Sequence, residues 1–259
     1  MKTPSDPVFP FVASRRQFIK VTGLAVGAIA LPAWDCESAQ AGLSLSEKHD
    51  LADIAVSTAR RLGASYADIR INRYRAESIT TRERQVQNVS RNENFGFGVR
   101  VLVKGTWGFA ASNNVTAREV RRVTRQAVDI ARANARFQRK PVELVPVDKA
   151  VDTWKSAFKE DPFDVPLDEK IAFLLAINDA ALKIDGVSFV NSSMSWVNEQ
   201  KFYGSTDGSR IEQYIIRGYP SFTVTAVDRS TNDFQTRTAL GGPQCMGYEY
   251  VREHDVVTL

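Results

Sequence analysis

Histidine is nearly absent from this chain: the 259 residues hold only His49 and His254, and cysteine only at Cys36 and Cys245. A hydrolytic zinc site draws about three protein ligands from His, Cys and carboxylate, usually with two of them one helical turn apart. His49 lies beside Lys48 and Asp50 on the expected solvated side of a helix, and His254 has no second histidine within a turn. No metal ligand and no catalytic residue is therefore assigned to this chain. The same scarcity weakens any Ser-His-Asp arrangement, and no Gly-x-Ser-x-Gly elbow occurs. Carboxylate pairs such as Glu160-Asp161 and Asp168-Glu169 read as a polar loop and as the negative first turn of a helix.

Long apolar runs and one-sided charge are also missing. The uncharged run Val21–Trp34 falls short of the about 20 residues a spanning helix needs, and Pro32 breaks it. The formal charge is only +4, and the densest basic stretch, Arg118, Arg121, Arg122 and Arg125, has the spacing of one solvated helix face. A nucleic-acid binder would interleave such residues with aromatics on one element, so no nucleic-acid partner is expected. Phe95-Gly96-Phe97-Gly98 lacks the third glycine of a nucleotide loop and runs into a strand pattern, which argues against phosphate binding. Glycine within a strand marks a bulge or a close approach. Gly98 shares a face with Arg100 and Lys104, and that face is either open to a polypeptide or part of a barrel-like bend.

What is present begins with an export signal. Arg15, Arg16, Phe18 and Lys20 resemble the twin-arginine pattern, an apolar run follows, and Ala39-Gln40-Ala41 has the small-x-small form of a cleavage site. Asp35 beside Cys36 argues against a lipoprotein. The expectation is export by the twin-arginine route to the periplasm or beyond, cleavage after Ala41, and no stable membrane anchor afterwards. Cys36 leaves with the signal, so Cys245 has no partner for an internal disulfide.

Along the remainder, Ser44 and Glu47 form a capping-box pair ahead of a helix over 45–62 that Gly63 stops, and Thr116 with Glu119 opens a second. Between them residues 66–112 alternate as strands, including Ile79 to Val89, with Gly105 at a tight turn into Trp107. The prolines from Pro141 to Pro166 mark a long connection. A third helix runs from Leu167 to about Lys183, apolar at Ile171, Leu174, Leu175, Ala181 and Leu182. Strands follow at 187–196, 200–203, 210–217, 221–227 and 234–240, with turns at Asp207-Gly208, Gly218-Tyr219-Pro220 and Arg229 to Asp233. Phe97–Val101 and Phe222–Ala226 occupy similar places in the two halves. The class is α+β, with helices packed on largely antiparallel curved sheets and two similar helix-plus-meander units. The expected divisions are a signal peptide (1–41), an N-terminal domain (42–140), a connecting segment (141–166) and a second unit (167–259).

The run from Phe97 to Ser112, with Gly96, Gly98, Arg100, Gly105 and Gly108 in and beside it, resembles the N-terminal signature of the TldD/PmbA family, also called modulators of DNA gyrase. Ala67-Asp68-Ile69-Arg70 before it, Ser90-Arg91-Asn92-Glu93 and the helix from Thr116 keep the family order, and the resemblance extends over roughly 43–250. It implies a zinc metallopeptidase acting on small or unfolded peptides in a closed chamber built by paired subunits. The family's zinc motif, His-Glu-x-x-x-His, does not occur in these residues. The resemblance thus implies the wall and subunit-contact half, with no cofactor of its own. Its partner would be a polypeptide carrying the zinc half or another TldD/PmbA-type subunit. The alternative is a stand-alone peptide- or protein-binding module. Apolar residues near the end, among them Met246, Tyr248 and Tyr250, are expected to lack an element to pack against.

Overall fold

Ser44 does what its spacing predicts. Its hydroxyl accepts from the Glu47 backbone N–H, the Glu47 carboxylate accepts from the Ser44 N–H, and helix α1 runs Leu45–Arg61. Gly63, at φ +84°, ends it in the left-handed conformation. This computed structural model describes residues 42–253. Arg15, Arg16, Phe18, Lys20, Ala39 and Ala41, the residues expected to form an export signal, and also His254, lie outside them.

After α1 come strands β1 (Tyr66–Arg82), β2 (Gln85–Val103) and β3 (Thr106–Ser112), then helix α2 (Ala117–Asn134), capped by the Thr116 hydroxyl. Strand β4 (Val151–Lys155), helix α3 (Leu167–Ala181), strands β5 (Val187–Ser205), β6 (Arg210–Asp228) and β7 (Asp233–Thr238), and the short helix α4 (Glu249–Glu253) complete the order. All seven strands join one sheet, ordered β3-β2-β1-β5-β6-β4, with β7 also on β6. Every pairing is antiparallel except β4 with β6.

The two expected units therefore meet through the long pairing of β1 with β5, from Asp68↔Ser205 to Arg82↔Asn191. Strands β2 and β6 have the same length, 19 residues. The shift in numbering that carries Gln85 onto Arg210 also carries Tyr74 onto Glu199, its own partner in the central pair. This is the register of a sheet with internal two-fold likeness.

Several local expectations are corrected. Residues 79–89 are not one strand, because Glu83, at φ +46°, and Arg84 turn the β1-β2 hairpin. Nor do residues 197–199 or Gly218-Tyr219-Pro220 interrupt the second half. Gly218 lies within β6 because the Trp196 indole covers it: a Cβ there would sit 2.0 Å from the ring. Pro220 is tolerated because its missing N–H belongs to the outer edge of β6, where Gly218 exchanges bonds with Gln244, and not to the β5 ladder. Residues 141–166 contain β4, which has no alternating pattern because all five of its residues are exposed.

Alternation assigns the helices to one sheet face. Ile69 and Ile71 of β1, Val99 and Val101 of β2 and Phe202 of β5 pack with Leu51, Ala55, Ala59, Val123, Ala127 and Ala131 of α1 and α2. Farther along the same face, Ile79, Met194, Trp196 and Ile216 pack with Leu174 of α3 and with Tyr248 and Val251. The chain end is thus better packed than expected, Tyr250 being buried as well. His49 is corrected too: it is half-buried, its ring 5.4 Å from that of Phe202. On α3 the buried stripe is not wholly apolar, since Lys170 and Asn178 are fully buried beside Leu174 and Ile177.

Candidate functional site

Residues directly opposite in a sheet share a face, so the register defines what the second face carries. No helix covers that face among the described residues. One row crosses Gly98, Arg70, Tyr203 and Ile211, and the next crosses Gly96, Asn72, Lys201 and Gln213. Arg70, Asn72, Lys201, Tyr203, Ile211 and Gln213 border a depression of about 420 Å³.

Beside it lies a fixed polar cluster. Asp68, 2 % exposed, accepts through Oδ2 from Arg100 Nε at 2.8 Å and Nη2 at 2.7 Å. The Arg100 guanidinium stacks 4.5 Å from the centre of the Trp107 ring, whose edge meets Tyr66. Tyr66 and Tyr203 share a hydroxyl hydrogen bond of 2.7 Å. Burial, reinforced by Tyr203 and by the charge of Asp68, raises the Tyr66 phenol well above its ordinary pKa, so it stays neutral. Burial works against the Arg100 charge, but Asp68 outweighs it and raises that pKa.

The glycines of the signature strand have separate positions. Gly98 leaves room on the open face for the Phe109 ring, which a Cβ would approach to 2.8 Å. At Gly96 a Cβ would come within 2.9 Å of the Ser112 carbonyl. Gly105, at φ +73°, follows Lys104 at φ +51° in a two-residue hairpin turn. Gly108 faces the other way: helix α2 approaches so closely that a Cβ would lie 2.0 Å from the Ala127 carbonyl. Gly96, Gly98 and Arg100 are thus brought together on the open face, while Gly105 and Gly108 fix the turn and the helix seat. The sheet ends at β3 and β4 without closing a barrel, and the Phe109 ring lies over Gly98.

Sequence reasoning missed Arg70, Asn72, Lys201, Tyr203 and Gln213. The available signal was polar residues at alternate positions on both central strands, facing opposite to Ile69, Ile71 and Phe202. Zinc does not fit here. Among the described residues no three His, Cys, Asp or Glu side chains come together as a metal site, and Cys245 is exposed.

Residues 67–131 match the family model described as PmbA/TldA metallopeptidase domain 1, and residues 160–249 match the PmbA/TldA metallopeptidase central domain. The chain carries PmbA/TldD-family domains. A metalloprotease of Methanocaldococcus jannaschii is 31 % identical over 156 residues, covering 59 % of this chain and 34 % of the relative. A metalloprotease of Methanothermobacter thermautotrophicus is 29 % identical over 196 residues, covering 75 % and 40 %. The chain spans between a third and two fifths of the length of these curated relatives. In fold it is similar to a Thermotoga maritima protein described as a modulator of DNA gyrase, with TM-score 0.57 and 14 % identity over 75 % of this chain and 42 % of that one. TldE from Thermococcus kodakarensis gives 0.50 and 14 %, over 74 % and 43 %.

Proposed function

We propose that this chain is the non-catalytic part of an exported PmbA/TldD-type zinc metallopeptidase acting on peptides or unfolded polypeptides. Its open sheet face forms part of the chamber wall, and its strand edges form the contact with the subunit or segment that holds the zinc. The observation that carries this reading is the asymmetry of the sheet. One face is buried under helices, while the other has no helix among the described residues yet holds a buried, charge-paired cluster beside a depression. An uncovered surface so furnished marks a binding face.

The edges fit the second role. Strand β3 pairs with β2 only from Phe97 onward, leaving residues 85–96 at the sheet edge, and all six residues of β7 are exposed. Such edges invite pairing with another chain. Export rests on Arg15, Arg16, Phe18 and Lys20 with cleavage after Ala41, and replacing both arginines with lysine should abolish it, since an ammonium does not reproduce the guanidinium fork.

Co-expression with a PmbA/TldD-type polypeptide that carries His-Glu-x-x-x-His tests the central reading. A co-purifying complex should hold zinc and cleave an unfolded peptide, while the chain purified alone does neither. A chain that stays monomeric beside every such polypeptide and still binds peptides supports instead a stand-alone binding module.

A further inference from the structure

The open face holds more positive than negative charge, and the imbalance is concentrated at the depression. Asp68, Glu199 and Asp152, which pairs with Ile211, are the carboxylates of its rows, against the cations Arg70, Arg100, Lys201 and Arg217. Asp68 is engaged by Arg100 through two hydrogen bonds, so Arg70 meets it only loosely, at 3.7 Å, with its side chain 55 % exposed. Glu199 is shared between Lys201 at 3.1 Å and Arg217 at 2.8 Å. Asp68 and Glu199 thus serve four cations, and Asp152 stands exposed on the edge strand.

The neighbouring groups suit the same ligand. Arg70 and Lys201 stand on adjacent rows, with Gly98 opposite Arg70 on β2 and the Phe109 ring occupying the space beside that glycine. Asn72 and Gln213 add amide groups on the Lys201 row, and the Tyr203 ring lies beneath the Arg70 guanidinium at 5.9 Å. Charge-assisted bonds from Arg and Lys to carboxylate are about twice as strong as neutral ones.

We infer that this trough is an acidic-peptide subsite, in which Arg70 and Lys201 pair with Asp or Glu side chains of an extended segment. The inference rests on the reading of the open face as a peptide-handling wall and names the class of segment that wall prefers. Binding should be strongest at low salt and fall as screening rises.

Fluorescence anisotropy on the full chain tests it, using a labelled ten-residue peptide of alternating Glu and Ser and its Gln-for-Glu counterpart. The Glu peptide should bind about tenfold more tightly than the Gln peptide. Arg70→Gln with Lys201→Gln should erase that preference, and Arg70→Glu with Lys201→Glu should transfer it to a Lys-Ser peptide. Arg118→Gln with Arg125→Gln, on the exposed side of α2, should leave it unchanged. Equal binding of the Glu and Gln peptides overturns the subsite while leaving the wall reading intact. An equal loss from the α2 variant overturns it as well, by assigning the preference to overall charge. Absence of binding by either peptide overturns both the subsite and the wall.

Discussion

The two ends of the helix-covered face are held by different physics. Under α1 and α2 the buried cluster is Ala, Val, Ile, Leu and Phe, and the helices lie close because their contact residues are small: Ala52, Ala55, Ala59, Ala127 and Ala131. Under α3 the apolar cluster surrounds an ion pair. Lys170 donates to Glu77 and to the Pro162 carbonyl, each at 2.5 Å, and Arg91 reaches the other Glu77 oxygen. The Lys170 and Glu77 side chains are both wholly buried. Asn178 extends the polar line to Thr81 and the Glu83 carbonyl. An apolar seam tolerates small shifts in packing, whereas a buried, hydrogen-bonded charge fixes α3 at one place on β1.

The largest expected effect breaks that pair. Lys170→Ala should destabilise the chain by about 3–5 kcal/mol, because it leaves the buried Glu77 carboxylate with only the half-exposed Arg91 and the Pro162 carbonyl without its donor. Lys170→Met combined with Glu77→Leu should recover part of the loss, since an apolar pair of similar volume has no charge to desolvate, while the Pro162 carbonyl still lacks its donor. Urea unfolding of the three proteins checks this. In the other half Ile69→Val should cost only about 0.5–1.5 kcal/mol.

This contrast also explains what was legible in the sequence. Helices α1 and α2 could be placed closely because cap, apolar stripe and stop agreed, as at Ser44, Leu51 and Gly63. The stripe of α3 could not be read by hydropathy, since Lys170 and Asn178 look like solvated positions until Glu77 and Thr81 are brought opposite them. Gly218-Tyr219-Pro220 resembled a turn because the reasons it is a strand, the Trp196 ring and an outer edge that needs no donor at Pro220, are both tertiary. The open face was only half legible: Gly98 and Arg100 stood out within one strand, but the depression depends on β1, β5 and β6 meeting in register.

The glycine seats sharpen the same comparison at smaller amplitude. Gly108→Ala pushes a methyl against the α2 backbone, and Gly218→Ala pushes one against the Trp196 side chain. Each should cost about 1–3 kcal/mol, with Gly108→Ala the worse because a helix carbonyl cannot rotate away. Thermal unfolding gives the order, and Trp196 fluorescence should change chiefly in the Gly218 variant.

Acidification should loosen the α3 half locally. Burial opposes the Glu249 carboxylate, but the N–H groups of Gly247 and Glu160 outweigh it, so its folded pKa lies below 4.5. A hydrogen bond from Arg252 lowers Glu160 as well. For carboxyls lowered on folding, the stabilisation is complete above the unfolded pKa and is lost as pH falls through the folded one. Hydrogen exchange at residues 158–163 and 247–252 should therefore accelerate below about pH 4.5 before the α1-α2 core opens.

The opposition of covered and open faces is tested most directly by photo-crosslinking. A benzoylphenylalanine placed at Tyr74, on the open face, is compared with one at Arg118, on the exposed side of α2, in the presence of a labelled unfolded peptide. The account predicts a peptide adduct at position 74 and none above background at 118. Equal adducts at both positions, or an adduct at 118 alone, would contradict it.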